Sequence, residues 1–250
     1  MLSEVELERY RRQMQLSGFG EAGQQRLKSA SALVTGVGGL GGTAALYLAA
    51  AGIGRLVLAR GGALRLDDMN RQVLMTHDWV GRSRVERASE MIRAMNPDVE
   101  VMTVEEYANE QNADRLLSGC DLALDCAHNF DERYALNAAC VRRGVPMVEA
   151  AMCDMEAYLT TFVPGKTACL ACLYPHRREW DRRGFAVLGA VSGMVGCLAA
   201  LEALKLLARF GEPLAGQLLT MDLSDLEFRK FRIRRAPDCR VCGTAPTSER

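Results

Sequence analysis

A run of glycines between a short apolar segment and an alanine-rich segment constrains the fold of this 250-residue chain more than any other feature. The run reads Gly36-Val37-Gly38-Gly39-Leu40-Gly41-Gly42. Residues 31–35 before it have the uncharged pattern of a buried strand, and residues 40–51 after it have the composition of a helix. A strand, a tight glycine turn and a helix form the opening of a βαβ unit.

Strand and helix patterns then alternate along the chain. Further strand patterns cover residues 55–59, 99–104, 121–126 and 145–149, and helical patterns cover residues 83–95 and 133–143. We therefore predict an α/β fold with a doubly wound, Rossmann-like, mainly parallel sheet. Beyond residue 150, strand patterns at 157–163 and 217–223 flank an apolar helix at 192–209. Residues 5–27 are predicted to form an N-terminal helical arm.

Charge and composition exclude several classes of partner. Lysine plus arginine and aspartate plus glutamate number 31 each, so the chain has no overall field for nucleic acid or a membrane surface. Residues 184–201 carry no charge, but Glu202 and Lys205 follow at once, which favours a buried helix over a membrane span. Nine cysteines without a signal peptide indicate a reducing, cytoplasmic location.

The glycine run has the strand–turn–helix context of a phosphate-binding loop. Glycines there let a phosphate reach backbone N–H groups at the positive end of the helix. We interpret the loop as a nucleotide site; the alternative is close packing between helix and strand with no ligand.

Arg60 stands at the end of the second strand pattern, where many ribose-binding proteins place a carboxylate. A guanidinium cannot accept hydrogen bonds from ribose hydroxyls, but it can pair with a phosphate. Either the nucleotide carries an extra phosphate, as NADP does, or Arg60 is a surface residue. Both interpretations stay open.

Two Cys-x-x-Cys pairs predict a structural zinc site. Cys169 and Cys172 form the first pair, and Cys239 and Cys242 form the second. Four thiolates complete a tetrahedral shell and leave no position for water. The alternative is that these thiols are redox-active or incidental.

We expect a single domain over residues 1–250, with a helical arm at 1–29, a nucleotide-binding half at 30–150 and a zinc-binding half at 151–250.

These elements, in this order, resemble the ThiF/MoeB/HesA family of adenylyltransferases, which are relatives of ubiquitin-activating enzymes. The resemblance spans residues 8–243 and also rests on Arg9-Tyr10-x-Arg12-Gln13, Asn70-Arg71-Gln72, Asn96-Pro97, Asp125-Cys126-x-x-Asn129 and Glu202-Ala203-x-Lys205. Residues 60–75 and Trp180-Asp-Arg-Arg-Gly184 most resemble the HesA branch, which is encoded in nitrogen-fixation gene clusters.

The resemblance implies transfer of AMP from ATP, with magnesium, to the C-terminal carboxylate of a ubiquitin-like sulfur carrier. It implies that Arg71 and Arg84 contact phosphates. It also implies that Arg12 reaches the triphosphate from a neighbouring subunit, so that the protein is a homodimer. The cofactor-binding set implied in this way is Gly36, Gly38, Gly39, Gly41, Arg60, Asn70, Gln72 and Asn129.

Three departures from the family pattern bear on this activity. Arg60 replaces the family's ribose-binding aspartate, and His128 replaces its magnesium-binding aspartate. His128 is either a capping or hydrogen-bonding residue or a ligand or acid–base group beside the phosphates. Magnesium prefers oxygen ligands, so phosphates, water and Asp125 would have to hold it.

The third departure is in the loop over residues 176–190, which contains no cysteine, so we expect no thioester step there. Arg182 and Arg183 in this loop either meet an anionic partner or are solvated.

We therefore expect an ATP-dependent, adenylyltransferase-like activating protein that supports metal or sulfur cofactor assembly, for nitrogenase in particular. Its partner would be a ubiquitin-like sulfur carrier or a nitrogenase-assembly protein. The alternative is a non-catalytic, nucleotide-responsive scaffold or chaperone. A third hypothesis, an NADP-dependent oxidoreductase, follows from Arg60 but lacks residues arranged for hydride transfer.

Overall fold

Eight strands form one continuous sheet in the computed structural model, which describes residues 1–176 and 186–243. The strands are β1 (Ser31–Thr35), β2 (Arg55–Ala59), β3 (Glu100–Val104), β4 (Leu122–Asp125), β5 (Met147–Cys153), β6 (Glu156–Phe162), β7 (Gln217–Asp222) and β8 (Glu227–Arg232). Their order across the sheet is β3-β2-β1-β4-β5-β6-β7-β8. The first five pair in parallel and the last three join antiparallel.

Helices cover both faces of this sheet. They are α1 (Glu4–Met14), α2 (Gly20–Lys28), α3 (Gly39–Ala50), α4 (Arg84–Met95), α5 (Ala113–Leu116), α6 (Phe130–Arg143), α7 (Leu170–Leu173) and α8 (Gly189–Ala208), with short 3₁₀ turns at Leu66–Asp68 and His77–Trp79. Helices α3, α4 and α8 bury their apolar residues on one face, and α5, α6 and α7 on the other. The predicted Rossmann-like, mainly parallel sheet is confirmed.

Three details differ from the sequence-based expectation. The helical arm consists of two helices, a division that the sequence analysis did not specify, and Gly18 and Gly20 adopt positive φ where the second helix begins. Helix α6 begins at Phe130, three residues before the predicted start, because the Asn129 side chain caps it by accepting from the Glu132 N–H at 2.9 Å. Strand β8 was not predicted, since all six of its residues are exposed and it has no apolar face.

The strand order reverses beside β1. Helix α3 leads from β1 to β2 on one side, while β4 lies on the other side of β1. Thr35 is in register with Ala59 of β2 and with Asp125 of β4, so the carboxyl ends of these three strands are level. In open α/β sheets ligands bind in the crevice at such a reversal.

Helix α8 is long and apolar enough to cross a membrane by length and composition. It packs against α3 and against strands β5 and β6, and it buries Val191, Val195, Ala199 and Ala203. Its Glu202 is also buried and accepts hydrogen bonds from the Thr161 hydroxyl at 3.0 Å and the Leu214 N–H at 2.6 Å. These contacts make α8 a core helix of the fold, as predicted from the uncharged stretch.

Candidate nucleotide site and cysteine cluster

The glycine loop lies at the strand-order reversal and opens directly into α3. Gly36 has φ +85°, and a Cβ on Gly41 would lie 1.8 Å from the Gly36 carbonyl oxygen, so the turn closes only with glycine at these places. Gly38 is the N-cap of α3 and supplies no side-chain cap, and the first turn of α3 contains no acidic residue. The first backbone N–H groups of α3 therefore receive no cap from a side chain of the described residues and favour an anion.

Three arginines, Arg60, Arg71 and Arg84, lie at this edge of the sheet. The Cβ and carbonyl oxygen of Arg71 lie beside Gly39, which places that residue against the loop. Asp68 holds two of the three: its Oδ1 accepts from Arg71 Nη2 at 2.9 Å and its Oδ2 accepts from Arg84 Nη2 at 2.6 Å. Arg84 is buried, and its Nε has no hydrogen-bond partner in the described residues. The predicted phosphate-contacting pair thus shares one carboxylate.

Arg60 and His128, the two departures from the family pattern, contact each other. Arg60 Nη1 donates to His128 Nδ1 at 2.8 Å, and the Arg60 guanidinium lies over the Tyr107 ring at 5.0 Å. Burial lowers the pKa of Arg60. These contacts are not those of a solvated surface arginine, which was one of the two interpretations from the sequence.

Glu132 stands behind this pair in the first turn of α6. Its Oε1 lies 3.7 Å from His128 Nδ1 and accepts from the Asn129 side-chain amide. Burial raises the pKa of Glu132. The turn from Ala127 to Asn129 is thereby tied to α6.

A second charged group lies beneath the same turn. Arg133 Nη1 donates to Glu149 Oε1 at 2.8 Å and lies 3.6 Å from Asp125 Oδ2. Both carboxylates are almost completely buried, and each has one oxygen with no hydrogen-bond partner among residues 1–176 and 186–243. Burial raises the pKa of Asp125 and raises that of Glu149 to about 7. Arg133 also donates to the Ala127 carbonyl oxygen, so this group supports the turn that carries His128.

The carboxylates buried at this edge of the described residues do not form a magnesium site. Asp68 is used by Arg71 and Arg84, and Glu132 by Asn129. Asp125 is completely buried, accepts from the Ala127 N–H at 3.1 Å and faces Arg133. The family resemblance implies Mg²⁺ with the ATP, but Mg²⁺ needs oxygen ligands that can join a water-rich octahedron. The residues present do not fit it.

Of the remaining predicted site residues, Gln72 and Asn70 lie near the loop and Arg12 lies far from it. Gln72 is buried, and its Oε1 has no partner in the part of the chain that the structure describes. Its Nε2 lies 3.8 Å from the place a Gly38 Cβ would take. Asn70 is exposed and donates to the Val187 carbonyl oxygen at 3.2 Å. Both are near the loop.

Arg12 lies at the opposite end of α3. The neighbouring Gln13 donates to the Ala51 carbonyl oxygen at 2.7 Å, just after the C-terminus of α3. A helix of 12 residues is about 18 Å long, so Arg12 is that far from the loop of its own chain. Its side chain is exposed.

The two cysteine pairs converge although 66 residues separate them in the sequence. All four sulfur atoms lie within 4.8 Å of one another, and the Sγ–Sγ distances are 3.7 Å for Cys169–Cys239 and 3.4 Å for Cys172–Cys242. Tetrahedral zinc–thiolate geometry requires sulfurs about 3.8 Å apart, so this set fits one zinc ion. The backbone N–H of Ala236 also donates to Cys172 Sγ at 3.4 Å.

Sequence reasoning missed the residues that support the site, which are Asp68, Tyr107, Glu132, Arg133 and Glu149. Only Glu132 carried a signal, since Asn129-x-x-Glu132 has the spacing of a helix-capping pair. The stretch Trp180-Asp-Arg-Arg-Gly184, with Arg182 and Arg183, lies outside the described residues.

The chain matches known proteins over nearly its whole length. Residues 10–241 match the model of the ThiF family. HesA of Leptolyngbya boryana is 66% identical over 242 residues, covering 97% of this chain and 87% of that protein. The SAMP-activating enzyme E1 of Haloferax volcanii is 39% identical over 246 residues (97% and 91% covered). The adenylyltransferase and sulfurtransferase MOCS3 of Drosophila yakuba is 38% identical over 250 residues, covering 98% of this chain and 55% of that protein.

Among solved structures, MccB of E. coli superposes with a TM-score of 0.85 at 23% identity, covering 100% of this chain and 76% of that one. This likeness shows the fold.

Proposed function

The chain belongs to the ThiF family, and from that premise we propose that it binds ATP at the Gly36–Gly41 loop and acts as an adenylyltransferase-like activating protein. Relatives whose names describe an activating enzyme and an adenylyltransferase support this class of activity. The acceptor would be a carboxylate at the C-terminus of a ubiquitin-like sulfur carrier or of a nitrogenase-assembly protein.

In the proposed reaction a carboxylate oxygen of the acceptor attacks the α-phosphorus of ATP. A new P–O bond forms, the bond from the α-phosphorus to the oxygen that bridges to the β-phosphate breaks, and pyrophosphate leaves with that oxygen. Negative charge builds on the α-phosphate and on the leaving group. Arg71 lies against the loop, Asp68 joins it to Arg84, and both arginines would stabilise that charge. No step is assigned to magnesium.

One observation carries this proposal: the uncapped start of α3 opens at the strand-order reversal with Arg71 packed against Gly39. A helix N-terminus, a glycine turn and an adjacent arginine together make a phosphate-binding arrangement.

The biological setting is proposed from the HesA relatives. We propose that the chain acts in metal or sulfur cofactor assembly, for nitrogenase in particular, and in the cytoplasm, because the HesA branch that it resembles is encoded in nitrogen-fixation gene clusters. The sequence has no cysteine in residues 176–190, so we propose that the reaction stops at the adenylate or passes it on without a thioester in that loop.

We propose a homodimer as the working unit. Arg12 is remote from the loop of its own chain, so it can contribute to a nucleotide site only from a neighbour. The described residues also leave an apolar stripe of helix α8 uncovered: Cys197 and Leu201 are exposed, and Met194 and Leu198 are half-buried, at the spacing of one helix face. Within each chain, zinc bound by the four cysteines would tie the segment after β8 to α7.

Exchange of labelled pyrophosphate into ATP tests the proposal. We expect exchange when a cognate carrier is present, and a loss of at least ~100-fold in Arg71→Ala because a phosphate contact is gone. Arg65→Ala is the matched control, since Arg65 is an exposed arginine of the same segment paired with Asp67 at 3.0 Å. Equal rates in the Arg71 and Arg65 variants would contradict the role of Arg71.

A second candidate, a nucleotide-responsive scaffold or chaperone, is favoured by the Arg60–His128 contact, since neither residue supplies a carboxylate to a ribose. ATP binding without pyrophosphate exchange, with every carrier from the nitrogen-fixation clusters, is the result that selects it.

A further inference from the structure

We propose that this chain binds its nucleotide as the metal-free anion, with the Arg60–His128 pair standing where an oxygen-liganded divalent cation would need carboxylates. The inference rests on the proposed nucleotide site and names the form of the ligand that this site takes.

The carboxyl edge around the loop presents fixed cations. Arg60, Arg71 and Arg84 lie there, and Asp68 bridges two of them through separate oxygens. The Arg60 Nε and the Arg84 Nε have no hydrogen-bond partner in the described residues. A polyphosphate would bring acceptors to an edge rich in donors.

The carboxylates that could bind a divalent cation at this edge are each paired with a protein group. Both oxygens of Asp68 accept from arginines, and Asp68 Oδ2 accepts from the Arg65 N–H as well, at 3.0 Å. Glu132 is buried against Asn129, and Asp125 faces Arg133 below the turn. A metal ion would have to displace a buried ion pair to reach Asp68 or Asp125, and breaking such a pair is costly. To reach Glu132 Oε1 it would have to displace the Asn129 amide.

His128 does not supply the missing ligand for a divalent cation. Its Nδ1 accepts from Arg60 Nη1, so that nitrogen is engaged with a positive charge. Imidazole nitrogen is in any case a poor ligand for Mg²⁺, which selects oxygen. A dication beside His128 would also lie next to the Arg60 guanidinium and be repelled by it.

Electrostatics then favours the free nucleotide. ATP without metal carries two more negative charges than its magnesium complex, and attraction to fixed cations grows with that charge. In a site built around a metal the order is reversed, because the metal supplies the bridging charge.

Calorimetric titration with ATP, once in EDTA and once in excess MgCl₂, measures this preference on the unmodified protein. We expect free ATP to bind at least ~10-fold more tightly than Mg·ATP, which corresponds to about 1.4 kcal/mol. Equal affinity, or tighter binding of Mg·ATP, overturns the inference and leaves the proposed function standing. Absence of ATP binding in both buffers would remove the nucleotide site itself.

Two variants sharpen the result. His128→Asp returns an oxygen ligand to the turn and should reduce or reverse the preference for free ATP, whereas His77→Asp, at an exposed histidine outside the site, adds the same charge and should leave it unchanged. Electron paramagnetic resonance with Mn²⁺ and ATP gives a second readout: a protein-bound Mn²⁺ signal is expected in His128→Asp and not in the wild type. A bound signal of equal strength in the wild type contradicts the inference.

Discussion

At the residue scale, the site is defined by how a few buried charges are paired. Arg133 is shared by Asp125 and Glu149, and Asp68 is shared by Arg71 and Arg84. Buried groups of this kind are stable only as complete sets, because each unpaired charge costs several kcal/mol. The group around Arg133 positions the turn that carries His128, and the group around Asp68 positions the arginines beside the loop.

Glu149→Gln should flatten the dependence of stability on pH. Burial raises the pKa of Glu149 from 4.5 to about 7, so the folded chain holds this proton when the unfolded chain has lost it. The free energy of unfolding therefore falls as pH rises through that window, by roughly 3 kcal/mol from this group between about pH 4.5 and 7. Urea denaturation of both proteins across this range measures it; parallel curves would show that Glu149 is ionised in the fold throughout.

Gly41→Ala should destabilise the chain, because its Cβ would lie 1.8 Å from the Gly36 carbonyl oxygen and 2.9 Å from Cys126 Cβ. We expect a loss of more than about 3 kcal/mol in the free energy of unfolding. Gly38→Ala is the matched control, since its Cβ would meet only Gln72 Nε2, at 3.8 Å, and should cost about 1 kcal/mol or less. Similar losses in both variants would mean that the turn is not as tight as this.

At the element scale, the cysteine cluster joins two segments that the sheet alone does not fix. Strand β8 is an exposed edge strand, and the segment after it carries Cys239 and Cys242. Short helix α7 carries Cys172, and Cys169 is its N-cap. A metal at the cluster closes a loop of about 70 residues, which stabilises the fold mainly by restricting the unfolded chain.

Cys242→Ser should therefore lower both zinc content and stability. We expect about one zinc per chain in the wild type, and a loss of about 4 kcal/mol in the variant from loop closure. Cys197→Ser, at an exposed cysteine outside the cluster, is the control and should keep its zinc. Elemental analysis and thermal denaturation provide the readouts; wild-type protein that is fully stable without metal would refute a structural role for zinc.

At the scale of the whole molecule, the alternation of strands and helices was predictable because each buried parallel strand leaves an uninterrupted apolar run in the sequence. The contacts within the site were not. Arg60 and His128 are 68 residues apart and meet only because β2 and β4 end level on either side of β1. Glu149 and Arg133 likewise meet across β5 and α6, and nothing local in either segment marks the pair.

Leu201→Glu should separate the proposed dimer. Leu201 is 46% exposed on the apolar stripe of α8, so a buried carboxylate there would oppose association without disturbing the core. We expect a monomer by light scattering, with unchanged far-UV circular dichroism. Leu226→Glu, at a residue 68% exposed in the turn after β7, is the control and should stay dimeric. A Leu201 variant that remains dimeric would place the interface elsewhere.

The central claim is that the turn after β1 holds the phosphates of a nucleotide. A crystal structure of the chain grown with ATP tests it most directly. We predict density for the polyphosphate against the backbone N–H groups at the start of α3, within hydrogen-bond distance of Arg71 or Arg84. ATP bound at another place, or a loop that stays empty at saturating ATP, would contradict the account.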